Sequence, residues 1–182
     1  MSESEFTLLG EAVWLDFVNT AQGRVASPPD LLGDAAAIGR WAQSQSLSWA
    51  EGNGTSLEEI LTFRGRLTAL AEALHADVQP PTGSIAAINE QLARSGGSHQ
   101  LTRVSGEWLL RFAPDRPPTL LEAIAQSAAA ALADPLLFVR RCAGQSCSFF
   151  FTDNSPNQGR RWCNAAVCGR QVKVERRRGL LR

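Results

Sequence analysis

Four cysteines, Cys142, Cys147, Cys163 and Cys168, stand as two C-x4-C pairs separated by fifteen residues, and the chain has no others. Two closely spaced thiol pairs at this separation are what a tetrahedral Zn2+ site requires: each pair comes from a tight turn, and the intervening segment returns the chain to bring them together. Ala143–Gly144–Gln145–Ser146 is small and polar enough for a knuckle, Phe149–Phe150–Phe151 suits a short strand, and Asp153 to Asn157 is turn chemistry. Asn164 to Arg178 reads as a helix with Cys168 in its first turns. Four thiolates close a coordination shell and leave no position for an activated water, so the expected cofactor is one structural Zn2+ per chain. The alternatives are two disulfides or unrelated redox thiols. The acidic start Met1–Ser2–Glu3–Ser4–Glu5 has no signal-peptide character, so a reducing cytoplasm, where disulfides rarely persist, is the expected location.

All four cysteines lie in a segment of distinct charge. The whole chain of 182 residues has a formal net charge of +0. Residues 1–137 nevertheless hold 8 Arg and no Lys against 16 Asp and Glu, while residues 138–182 hold 9 Arg and 1 Lys against only Asp153 and Glu175. An acidic body with a basic end points to two modules, the second facing a polyanion. The apolar runs are far shorter than the roughly 20 residues that span a bilayer, so no membrane partner is expected.

Periodicity makes the body mainly helical. Leu9, Val13, Phe17 and Ala21 predict a first helix over 8–21; Ala37, Ile38, Trp41 and Ala42 a second, capped by Asp34; and Ser56-x-x-Glu59 opens a long helix to about Ala76 that turns Ile60, Phe63, Leu67, Leu70 and Leu74 inward. Ser84 to Ala93 and Leu120 to Leu132 predict two more helices, and the alternating stretch from Leu101 to Phe112 a β-hairpin. The expected class is mainly α with a small β-hairpin (α+β): a helical domain over 1–134, and over 135–182 a four-cysteine zinc finger with a basic helix. The two modules are expected to touch. Because so short a segment buries little core, metal removal should unfold residues 138–182 and leave the helical domain standing.

Cys142-x4-Cys147, then Arg161–Trp162–Cys163, then Cys168–Gly169 before a basic helix, resembles the bacterial CGNR-type zinc finger. Trp14–Leu15–Asp16–Phe17–Val18–Asn19–Thr20 resembles the signature of the stress-induced transcription regulator (ABATE-like) domain that precedes such fingers. The resemblance implies a role in transcription regulation and stress response. At the namesake motif this chain reads Cys168–Gly169–Arg170–Gln171, which moves the arginine by one residue and about 100° around a helix.

At 100° per residue Arg170, Lys173, Arg176 and Arg177 share an arc of about 120°, with Val167 and Val174 outside it and able to pack on the knuckles. Arg160 and Arg161, beside Cys163, extend the patch, as do Arg140 and Arg141. DNA is the expected partner. In the body, Asp16 and Asn19 lie one helical turn apart among apolar residues, where they cap a loop, bond Arg64 or Arg66, or with Arg64 line a ligand pocket. A small-molecule ligand and a homodimer both remain open. His75 and His99 have no metal-like spacing and no nucleophile beside them, and no other group forms a catalytic constellation, so the chain is not read as an enzyme. Two readings stand: a zinc-dependent DNA-binding regulator, and an interaction module in which zinc staples the fold and the basic helix docks on an acidic protein surface. Carboxylates seated on those arginines would favour the second.

Overall fold

A computed structural model describes residues 6–9, 12–50 and 54–178, excepting the side chain of Arg176. Helix α1 (Val13–Val18) continues into a 3-10 turn over Asn19–Ala21. It is followed by α2 (Ala35–Ser44), α3 (Leu57–His75), α4 (Thr82–Ala93), the strands β1 (Gly97–Val104) and β2 (Glu107–Pro114), and α5 (Leu120–Leu132). The cysteine segment adds β3 (Val139–Arg141), β4 (Phe150–Thr152), a π-turn over Ala165–Gly169 and α6 (Arg170–Arg177).

Local chemistry explains where α2, α3 and α5 start. The Asp34 carboxylate accepts from the Ala37 N–H at 2.7 Å, and Ser56 Oγ accepts from the Glu59 N–H at 3.1 Å. Thr119 and Glu122 form a reciprocal capping box on α5, and Glu122 also holds Arg116 through both carboxylate oxygens at 2.7 and 2.8 Å. The first helix departs from expectation. It starts at Val13 rather than near Leu8, and the Leu9 N–H instead donates to Asp16 Oδ1 at 2.8 Å; Gly10 and Glu11 lie outside the described residues.

Trp14, Phe17 and Val18 of α1 are wholly buried against α3 and α5, and Phe17 meets Trp41 at 5.2 Å between ring centroids. Ala125 and Ala128 on the inner face of α5 present almost no side chain, which leaves room for these large residues to approach the helix. Ile60, Phe63, Leu67 and Leu70 of α3 face inward as their spacing predicts, whereas Leu74 is only partly buried.

The cysteine segment does not hang from this core as a separate bead. Successive residues of a strand point to opposite faces, and here both faces are covered. Phe150 and Val139 enter the main helical core, while Phe149 and Phe151 pack with Cys142, Cys163 and Cys168 in a second apolar cluster. Three consecutive phenylalanines are accommodated because the strand runs between two cores.

The β1–β2 hairpin stands apart from both. Ser105 at φ 51° and Gly106 at φ 91° make the two-residue turn, whose positive φ angles match the right-handed twist of the strands and suit a glycine at the second position. No residue of either strand is buried. Among the described residues no helix is long and apolar enough to cross a membrane.

Candidate metal centre and basic surface

The four cysteines converge. Their Sγ atoms all lie within 4.8 Å of one another, with Cys147 to Cys163 at 3.8 Å and Cys163 to Cys168 at 3.7 Å. Sulfurs held at about 2.3 Å from a tetrahedral zinc are about 3.8 Å apart, so these edges fit such an ion, and they are far too long for disulfides. Gly144 makes the first knuckle compact, since a Cβ there would come within 3.1 Å of Cys147 Cβ and 3.5 Å of Cys168 Sγ. The Cys163 N–H donates to Cys142 Sγ at 3.4 Å, tying the second cysteine pair to the first. The arrangement is a four-cysteine cluster able to coordinate a metal ion.

The thiols share their protons unequally. Hydrogen bonding from Cys147, then from Cys142 and Cys168, together with the charge of Arg24, lowers Cys163 to about 5 against the cost of its burial. Cys147 is pushed up, first by its bond to Cys163 and then by burial, and burial raises Cys168 to about 11.

Arg24 comes from the helical domain, and nothing in the sequence singled it out. Its Nη2 lies 4.0 Å from Cys163 Sγ and its guanidinium sits over the Phe149 ring, 5.1 Å from the centroid. Next to it the Ser148 N–H donates to the Gly23 carbonyl at 2.9 Å, and the Gly23 N–H donates to Ser148 Oγ at 3.0 Å. A tetrathiolate around a divalent ion would have two surplus negative charges, and this arginine would offset part of them from the neighbouring segment.

Asp153 and Arg160 organise the segment between the cysteine pairs. Burial alone would push the Asp153 carboxyl up. Bonds from Ser155 Oγ at 2.6 Å, the Ser155 N–H at 3.0 Å and the Arg160 N–H at 3.1 Å, with the Arg140 guanidinium 3.8 Å away, outweigh burial and hold it below the ordinary carboxylate value. Such a group contributes stability that is complete above the usual Asp value near 4 and is lost as pH falls through its folded value. Urea titrations of wild type and Asp153→Asn are therefore expected to differ by a constant amount from about pH 8 to 5, and to converge progressively as pH falls below about 4 through the folded value. A gap that stays constant from about pH 4 to about pH 2 would refute the ionised role.

Arg160 differs from its expected place on a nucleic-acid surface. Its guanidinium donates to the carbonyls of Cys163 at 2.7 Å, Trp162 at 3.1 Å and Thr152 at 3.3 Å, and lies over Phe151 at 4.5 Å. It ties β4 to the second cysteine pair. Arg161 is exposed beside Trp162, and with Arg140, Arg141, Gly159 and Arg160 it lines a cationic recess of about 380 Å3.

Asn164 caps the π-turn, its Oδ1 accepting from the Ala166 and Val167 N–H groups at 2.9 and 3.2 Å. Gly169 is pressed beneath Trp162, where a Cβ would meet the ring at 3.3 Å. α6 then leaves the body, packing chiefly on the turn before it. Arg170, Lys173 and Arg177 are exposed along it, and the side chain of Arg176 lies outside the described residues. Val167 and Val174, expected to pack on the knuckles, are exposed instead; α6 packs chiefly on the turn before it, and neither valine joins the cysteine cluster. In the altered motif, Gln171 Nε2 donates to Glu175 Oε1 at 3.0 Å.

Of the three residues nominated for a ligand, Asp16 and Asn19 share one small void and Arg64 lies outside it. Asp16 and Asn19 border a void of about 10 Å3, room for one water at most. Asp16 also receives Gln45 Nε2 at 3.3 Å. Asn19 Nδ2 donates to the Phe150 carbonyl at 2.8 Å, and Asn19 Oδ1 accepts the Phe150 N–H at 2.9 Å. Arg64 turns away from both, to Thr20 Oγ1 at 2.9 Å and to both carboxylate oxygens of Asp30. His75 Nδ1 accepts the Arg141 N–H at 3.3 Å, another bond between the helical and cysteine segments.

Residues 11–135 match the ABATE family, described as "Putative stress-induced transcription regulator", and residues 139–179 match the CGNR zinc finger. Among curated proteins none matches. The first match covers well over half of the chain and the second contains the four converging cysteines, so the chain belongs to the ABATE family and carries a C-terminal CGNR zinc finger.

Proposed function

We propose that this protein regulates transcription by binding duplex DNA through its finger, in which one Zn2+ per chain is held by Cys142, Cys147, Cys163 and Cys168 as a structural ion. The observation that supports this reading is the freedom of the cations. Among the described residues Arg161, Arg170, Lys173 and Arg177 have no carboxylate partner, although residues 1–137 hold 16 Asp and Glu. Had the basic helix served to neutralise that body, those arginines would be paired. A helix that leaves the fold with cations along it suits a groove or a phosphate backbone, and the recess beside Arg140, Arg141 and Arg161 suits a further phosphate. Arg160 supports the surface from behind.

With about four phosphate contacts, log affinity for duplex DNA should fall against log salt with a slope of about −4, and Arg177→Ala should flatten it by about one unit. Fluorescence anisotropy on a random-sequence duplex, with zinc bound, measures both. Absence of binding at low salt would transfer the function to the interaction module, with an acidic protein as the partner of α6.

A further inference from the structure

We infer that the β1–β2 hairpin is the interface through which two copies of this chain form a dimer. Residues paired across an antiparallel ladder share a face, so the register places His99 with Phe112, Leu101 with Leu110 and Arg103 with Trp108 on one side of the hairpin. That side is apolar and uncovered: Leu101 is 62%, Trp108 64%, Leu110 66% and Phe112 46% exposed. An isolated two-stranded hairpin is marginal in water, and three or more strands or a packed face are needed for it to stand alone. This one has eight paired positions and protrudes from both cores. Something is required to cover it.

A second copy fits by area and by charge. The exposed parts of the four apolar side chains amount to about 500 Å2, and with His99, Arg103 and the flanking backbone two such faces bury on the order of 1,200 Å2, the lower bound of a specific interface. The pattern along the face is self-complementary. Its centre is the Leu101–Leu110 pair; the tip carries Arg103 over the Trp108 ring at 5.8 Å, and the base carries His99 edge-on to Phe112, also at 5.8 Å. Two hairpins stacked face to face and antiparallel about a two-fold axis put leucines on leucines. Each Arg103–Trp108 tip then meets the other copy's His99–Phe112 base, exchanging cation and aromatic contacts. The two Arg103 side chains lie two residues to either side of the axis, about 14 Å apart along the strands and so beyond the screening length at physiological salt. A parallel stack would set arginine against arginine. This dimer would present two fingers together, and it stands independently of whether they bind DNA.

Sedimentation velocity on the full-length, zinc-loaded protein tests it. The expected result is a reversible monomer–dimer equilibrium with Kd on the order of 1–10 µM, and a blue shift of tryptophan emission as Trp108 is covered. Leu110→Asp should weaken association by at least about tenfold, with a thermal midpoint unchanged at concentrations well below the wild-type Kd, the hairpin lying outside both cores. Leu101→Thr, which retains strand propensity, should weaken it in the same direction should the aspartate variant fail to fold. Val25→Asp, exposed elsewhere, should leave it unchanged. A wild-type chain that stays monomeric to about 100 µM overturns the inference and assigns the face to a different protein. A dimer undiminished by both hairpin substitutions overturns it in favour of another surface.

Discussion

Stripping the metal with a chelator is expected to destabilise the whole chain in one cooperative step. From the sequence, the cysteine segment should unfold alone. The structure reverses this, because Phe150 and Val139 from that segment belong to the helical core, Asn19 and Gly23 are hydrogen-bonded into it, and Arg24 lies against the cysteine sulfurs. Loss of the ion frees the turns that carry the cysteines, and with them the strand that holds Phe150 in place. If about 4 kcal/mol of packing and bonding at this junction goes with the metal, the midpoint should fall by about 8–16 °C for a chain of this size. Calorimetry with and without a chelator decides it. Two resolved transitions, with the helical one unmoved, would show that the shared core does not couple the modules.

Asn19→Ala should be the most damaging single polar substitution in the helical domain. The Asn19 side chain imitates a neighbouring strand, giving a donor to the Phe150 carbonyl and an acceptor to its N–H in a buried setting. Alanine would leave both backbone groups without partners where water does not reach. At about 1–3 kcal/mol for each unsatisfied group the expected loss is about 2–6 kcal/mol, measured by urea unfolding with zinc bound. Asn19→Asp keeps the acceptor for the N–H but turns a carboxylate toward the Phe150 carbonyl, so it should not rescue stability. A loss of less than about 0.5 kcal/mol for the alanine variant would mean that the strand is held by packing alone. The junction residue occurs in the ABATE-like signature, and its role here is to lock the finger onto the first helix rather than to line a roomy pocket.

Much of the fold was legible because its determinants are local. Helical spacing, the Asp34 and Ser56 caps and the cysteine spacing each act over a few residues, so α2 to α5, the hairpin and the convergence of the four cysteines followed from the sequence. The Thr119–Glu122 capping box was equally local and could have been read there. The start of α1 was not legible, because the Asp16 carboxylate takes the Leu9 N–H in a non-helical turn that competes with another turn of helix.

By itself, then, the sequence determined the helical body, the four-cysteine cluster, the division of charge and the basic last helix. Only the tertiary structure decided what each charged or apolar group meets. Arg160 and Arg161 are adjacent in sequence, yet one ties three carbonyls together and the other remains exposed. Arg24 reaches the cysteines from 139 positions away from Cys163, and Val174 stays in solvent although its helical position suited burial. The physical reason is that spacing specifies which side of an element a residue occupies, whereas burial and pairing depend on which distant surface arrives there, a property of the packed chain as a whole.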